Sequence, residues 1–143
     1  MITVIQGLRG SGKTSTLKHF LERQLSKGEM AYSNLIYFSE SNNYMPFGSA
    51  GEINKITSNW TGPSQVLIID EFENRFKESS GWTVNITQIL QWINNTGSDV
   101  YLSCSSTEIL PLELRKKIDI LLTSTYQKDC ITLTYNFNPK FGD

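Results

Sequence analysis

Residues 7–14 read Gly7-Leu8-Arg9-Gly10-Ser11-Gly12-Lys13-Thr14, a full G-x-x-x-x-G-K-[ST] phosphate loop. The loop follows the apolar run Ile2-Thr3-Val4-Ile5 and precedes a helical stretch from Ser15 to Lys27. That context restricts the chain to folds in which a strand delivers a loop to a helix N-terminus. A triphosphate needs several backbone N–H groups converging on it with no side chains in the way, and Gly7, Gly10 and Gly12 permit that path. Lys13 is placed to reach the β- and γ-phosphates, the Thr14 hydroxyl to ligate Mg²⁺, and the helix that continues through Ser15 to point its positive end at the anion. Leu8, Arg9 and Ser11 complete the loop, and the Arg9 side chain reads as solvent-exposed. The loop reads phosphates only, so it specifies a nucleoside triphosphate without choosing the base.

A second stretch, Val66-Leu67-Ile68-Ile69-Asp70-Glu71, sets four branched apolar residues before two acids. A parallel strand buried on both faces has this pattern. In P-loop NTPases an acid at the end of such a strand supports the metal, and an adjacent Glu can polarise the attacking water. Asp70 and Glu71 are the candidates for these roles, with Asp70 and Thr14 as the metal pair. If both strands belong to one sheet, their carboxyl ends meet at one edge.

The chain has 143 residues, the length of one domain spanning residues 1–143. Thirteen basic and fourteen acidic residues leave it near neutral, which excludes a broad basic surface on the monomer; contact with DNA must be local or shared between subunits. Cys104 and Cys130 lie in apolar strands without metal-like spacing, and both read as reduced core thiols of an intracellular protein. The longest apolar runs fall well short of a membrane span, and the N-terminus lacks a basic leader, so a cytoplasmic location is expected.

The remaining elements follow from periodicity and turn chemistry. Strand two is predicted over residues 32–39, a polar loop over 41–48, a short helix over 51–58, and an exposed loop over 77–83. Val84, Ile86, Ile89, Leu90 and Ile93 mark one face of a helix that Gly97 stops. A strand over 100–104, a short helix over 111–117, and strands over 118–125 and 130–137 joined across Gln127-Lys128-Asp129 complete the chain. Most aromatics of so small a domain are core, although Trp60, Trp82, Tyr44 and Phe47 fall in loops, and Trp82 is the candidate for contact with DNA or a neighbour. His19 reads as a helix-surface residue. Alternating strands and helices define an α/β fold of three layers with a mostly parallel sheet and a C-terminal β-hairpin.

With a strand lying between the loop strand and the acidic strand, and Glu following Asp, the chain resembles the additional-strand, catalytic-glutamate division of P-loop ATPases. That resemblance implies a strand order 5-1-4-3-2. Within it, three segments are similar to the FtsK/HerA superfamily, especially viral genome-packaging ATPases and zonula occludens toxin-like ATPases of filamentous phages. They are Ile68 to Phe76, Gly97-Ser98-Asp99-Val100-Tyr101-Leu102-Ser103-Cys104-Ser105, and Leu112 to Asp119. The chain departs from that pattern at Asn94-Asn95, where relatives often carry a basic pair, and at Ser105, where they often carry Gln.

The resemblance implies ATP as nucleotide, Mg²⁺ as metal, a ring of subunits, double-stranded DNA as cargo and a viral capsid or assembly protein as a further partner. It also implies an arginine supplied across a subunit boundary. Arg75 and Arg115 are available; Arg115 aligns with the expected position, and a solvated basic face with Lys116 and Lys117 reads equally well. Arg75 can instead pair with Glu71, Glu73 or Glu78 at helical spacing. Ser105, or Ser103 beside it, is the candidate γ-phosphate contact, with a shorter reach than an amide. The function expected is a Mg²⁺-dependent ATPase that packages or translocates double-stranded DNA, with Lys13, Glu71 and Arg115 catalytic. The alternatives are a nucleotide-gated assembly switch and a small-molecule or nucleotide kinase.

Overall fold

The fold is that of a computed structural model, which describes residues 1–35 and 41–141. The apolar run at the N-terminus forms β1 (Ile2–Gln6), and Gly12 ends the phosphate loop at the N-cap of α1 (Lys13–Ser26). Next come β2 (Ala31–Ser33), β3 (Tyr44–Pro46), α2 (Ala50–Thr57), β4 (Val66–Ile69) and α3 (Phe72–Phe76). The small hairpin β5 (Lys77–Glu78) and β6 (Gly81–Trp82) leads into α4 (Ile86–Thr96), β7 (Asp99–Cys104), a 3₁₀ turn Thr107–Ile109 and α5 (Leu112–Arg115). Strands β8 (Ile120–Gln127) and β9 (Cys130–Phe137) close the chain.

Among the described residues the main sheet has seven strands in the order β3-β2-β4-β7-β1-β8-β9. All neighbours are parallel except β8 and β9, which form an antiparallel hairpin. Counting β1, β2, β4, β7 and β8 as the five core strands, this is the 5-1-4-3-2 order implied by the resemblance, with β7 inserted between the loop strand and the acidic strand. The hairpin turns at Lys128 and Asp129, both at positive φ (50° and 63°), which matches the right-handed twist of the strands it joins.

Strand alternation sends side chains to two cores. Ile5, Val66, Ile68, Tyr101 and Leu122 face α1, whose Leu17 and Leu21 are fully buried against them. Val4, Leu67, Ile69, Val100 and Leu102 face the opposite layer, where Phe72, Phe76, Ile86, Ile89, Trp92 and Leu114 from α3, α4 and α5 cover them. Burial of β1, β4 and β7 on both faces explains their largely apolar character, unbroken in β4 (Val66–Ile69). Asn85 caps α4 by accepting the Gln88 N–H at 3.0 Å, and Gly97 ends it as predicted.

Four local expectations need correction. Strand two covers only residues 31–33, and residues 36–39 of the predicted strand lie outside the described residues. The stretch 41–48 is not wholly loop: β3 adds an edge strand beside β2, and edge placement is what tolerates Pro46. Phe47 is core and Tyr44 leans on the α1-side core. The loop 77–83 contains β5 and β6, and Trp82 is half-buried, 5.0 Å from Phe72 ring to ring with the Lys77 ammonium 5.6 Å over its face. His19 is exposed, as expected.

The thiols also divide. Cys104 is 1 % exposed, and burial pushes it up to about 12, whereas Cys130 sits exposed on the edge strand and is not core. A thiol reagent at pH 7.5 is therefore expected to modify Cys130 quickly and leave Cys104 untouched until unfolding; mass spectrometry of labelled peptides checks this, and rapid native labelling of Cys104 would contradict it.

Candidate nucleotide site

The carboxyl ends of β1 and β4 open into a cleft of about 480 Å³. One wall is the phosphate loop, with Arg9, Gly10, Gly12, Lys13 and Thr14; the other carries Asp70, Glu71 and Glu73, and Ser105 lies at the end of β7 between them. The sheet order brings these walls together, since β7 is the only strand separating β1 from β4.

The loop is shaped by its neighbours as much as by its glycines. Gly12 has φ 96°, and a Cβ there would lie 2.6 Å from Ile131 Cδ1 on β9. A Cβ on Gly7 would lie 2.6 Å from the Ser124 carbonyl oxygen on β8. The Ser124 hydroxyl donates to the Ser11 carbonyl at 2.6 Å. The C-terminal hairpin therefore braces the outer side of the loop. No side chain caps α1, so its first N–H groups remain available to an anion. Lys13 Nζ donates to the carbonyls of Gly7 and, at 3.2 Å, Leu8, which holds the ammonium over the loop.

Opposite, Thr14 Oγ1 donates to Asp70 Oδ2 at 2.9 Å. Ser103 Oγ donates to Asp70 Oδ1 at 2.6 Å and accepts the Glu71 N–H at 2.8 Å. Asn34, just past β2, accepts the Asp70 N–H at 2.7 Å and donates to the Asp70 carbonyl at 3.0 Å. Glu71 has φ 52°, a left-handed conformation uncommon for Glu, and starts α3. Its carboxylate lies 3.8 Å from Arg75 Nε, with both side chains about half exposed (51 % and 48 %). A pair of this exposure and i,i+4 spacing is worth only about 0.3–0.5 kcal/mol, so Glu71 is easily released from it.

The predicted residues are placed unequally. The loop, Thr14, Asp70, Glu71 and Ser105 share one cleft, while Leu8 and Ser15 are exposed beside it and Ser11 is buried behind it. Ser103 does not line the cleft, and its hydroxyl proton goes to Asp70. Ser105 donates its N–H to Glu73 Oε1 at 2.9 Å. Arg75 takes the Glu71 pairing open to it at helical spacing. Arg115 does not line the cleft; its Nε is buried in α5 and has no hydrogen-bond partner among the described residues. Asn34 and Glu73 were not foreseen. Asn34 meets Asp70 across 36 residues and Glu73 meets the Ser105 N–H across 32, separations that leave no local pattern.

A phosphate loop, an uncapped helix end and an acid pair facing it define a P-loop ATPase, an ATP hydrolase with helices on both faces of a mostly parallel sheet. The model of a family described as an AAA domain matches residues 1–123, and the chain belongs to that family. No curated protein sequence matches significantly. The fold is similar to the N-terminal domain of zonular occludens toxin from Neisseria meningitidis, at 20 % identity and TM-score 0.63, over 95 % of this chain and 83 % of that one. It is also similar to B204, the DNA-packaging ATPase of Sulfolobus turreted icosahedral virus, at 20 % identity and TM-score 0.64, over 89 % and 76 % of the two chains. The B204 packaging NTPase of Sulfolobus turreted icosahedral virus 2 in complex with ATPγS gives 20 % identity and TM-score 0.63, over 89 % and 75 %.

Proposed function

We propose that the cleft binds MgATP and that its hydrolysis drives movement of double-stranded DNA by a ring of these subunits, as in packaging of a viral genome. The observation that carries the hydrolytic part is the Thr14–Asp70 contact with Glu71 beside it, directly across from Lys13. The donor set suits Mg²⁺: a hydroxyl and a carboxylate are hard oxygen ligands. Among the described residues no group of three or more His, Cys, Asp or Glu could hold a metal unaided, which fits an ion that also relies on phosphate oxygens and water. Such an ion would neutralise charge on the β- and γ-phosphates.

In this reading the loop N–H groups and Lys13 bind the phosphates, Thr14 and Asp70 support the metal, and Glu71 leaves Arg75 to accept a proton from the attacking water. Ser105, which lines the cleft between its two walls, is the proposed contact of the γ-phosphate. Among the described residues Arg9 is the one arginine that lines the cleft, and the transition-state charge calls for a further cation; Arg115 of a neighbouring subunit is the proposed donor. DNA as cargo, ring assembly, a capsid partner and the FtsK/HerA affiliation rest on the resemblance and on the likeness to B204. With 13 basic and 14 acidic residues per chain, a DNA channel must be assembled from a few cations of each subunit. Among the described residues no helix is long and apolar enough to cross a membrane; a cytoplasmic site of action is part of the proposal.

The test is the ATP hydrolysis rate per subunit across protein concentration, with and without double-stranded DNA. A steep rise with concentration, further raised by DNA, is expected. A flat, DNA-blind rate would remove the ring and the DNA, and Arg115→Ala with wild-type turnover would remove the arginine assignment.

A further inference from the structure

We infer that Ser103 is a positioning residue, one that sets the orientation of both acids at once and carries the metal-supporting competence of Asp70. Ser103 is fully buried in β7, the strand inserted between β1 and β4, and so stands behind the acid pair rather than in the cleft. A serine hydroxyl has one proton and two lone pairs, and here both capacities are used in a defined sense. The proton goes to Asp70 Oδ1 at 2.6 Å, and a lone pair receives the Glu71 N–H at 2.8 Å.

The first bond fixes the plane of the carboxylate so that Oδ2 faces Thr14 Oγ1. The second pins the main chain at the residue that adopts φ 52°, the turn that projects the Glu71 side chain out of the strand line. Asn34 clamps the Asp70 amide and carbonyl from the other side, so the backbone of Asp70 itself is held independently of Ser103. Loss of the hydroxyl alone therefore frees the carboxylate to rotate without dismantling β4. Outer groups that orient metal-supporting carboxylates typically change affinity or activity about 10–100-fold when removed.

The inference rests on the assignment of Asp70 to metal support, and the experiment separates the two. Wild type, Ser103→Ala, Ser103→Thr and Asp70→Asn are titrated with ATPγS in Mg²⁺ and in EDTA, with thermal unfolding of each as a check and kcat measured on ATP. In Ser103→Ala the Mg²⁺-dependent gain in ATPγS affinity and kcat are each expected to fall about 10–100-fold, with affinity in EDTA unchanged. Ser103→Thr, which keeps the hydroxyl, restores both. A wild-type Mg²⁺ gain in Ser103→Ala overturns the inference. So does a loss equal in Mg²⁺ and EDTA that Ser103→Thr fails to repair, the mark of a merely structural role. A wild-type gain in Asp70→Asn would instead show that the metal assignment itself has failed.

Discussion

Exchanging Glu71 for Gln is expected to lower ATP turnover on the order of 10²–10⁴-fold while leaving ATPγS affinity within about twofold of wild type, the range a positioned general base contributes. The substitution keeps size and hydrogen-bonding shape but removes the basic carboxylate. It also removes the ion pair with Arg75, which matters little because that half-exposed contact is worth only about 0.3–0.5 kcal/mol. The backbone at this position is held by Ser103 through the Glu71 N–H, so the variant retains the left-handed turn. Steady-state phosphate release and an ATPγS titration check both halves. Unchanged turnover would take the base role from Glu71 and favour a nucleotide-gated switch.

The second large effect concerns the loop glycines, which differ in what a methyl group would meet. At Gly7 a Cβ lies 2.6 Å from the Ser124 carbonyl, a backbone atom of β8 that cannot move alone. At Gly12 the nearest atoms, at 2.6 and 2.7 Å, belong to the Ile131 side chain, which can yield, but φ 96° adds strain that no neighbour relieves. At Gly10 nothing lies within 4 Å, and only the positive φ counts. ATPγS affinity is therefore expected to fall in the order Gly7→Ala, Gly12→Ala, Gly10→Ala, with Gly7→Ala at least about 100-fold weaker, from two or more lost or misaimed hydrogen bonds to a charged ligand. Adding Ile131→Ala to Gly12→Ala should recover part of the loss, a coupling that a double-mutant cycle measures. Additive effects would show that β9 does not brace the loop.

These contrasts explain what was and was not legible in the chain. The loop and its helix could be read because the glycine spacing is a direct consequence of backbone approach to phosphate. Strand β4 could be read because burial on both faces demands an apolar run, and the acids stand where that run ends. The helix over 86–96 showed in its apolar face and stopping glycine. Strand β3 escaped because edge pairing with β2 tolerates Pro46 and polar neighbours. Cys130 was misplaced because an apolar-looking strand at a sheet edge exposes what the same strand would bury at the centre; Ile131 and Phe137 are exposed there too. The supports of the site, Asn34, Ser103 and Ser124, reach it through hydrogen bonds 36, 33 and 113 residues long in sequence. Contacts of that separation exist only once the sheet order is known.

Hydrolysis of ATP at this cleft is tested most directly by following the γ-phosphoryl group itself. ATP is turned over in H₂¹⁸O with Mg²⁺, and the products are analysed by mass spectrometry. Inorganic phosphate equal to the ADP formed, with one solvent-derived oxygen per phosphate and production lost in Lys13→Ala, is the expected result. ADP without matching inorganic phosphate, or ATP bound and never cleaved, would contradict it.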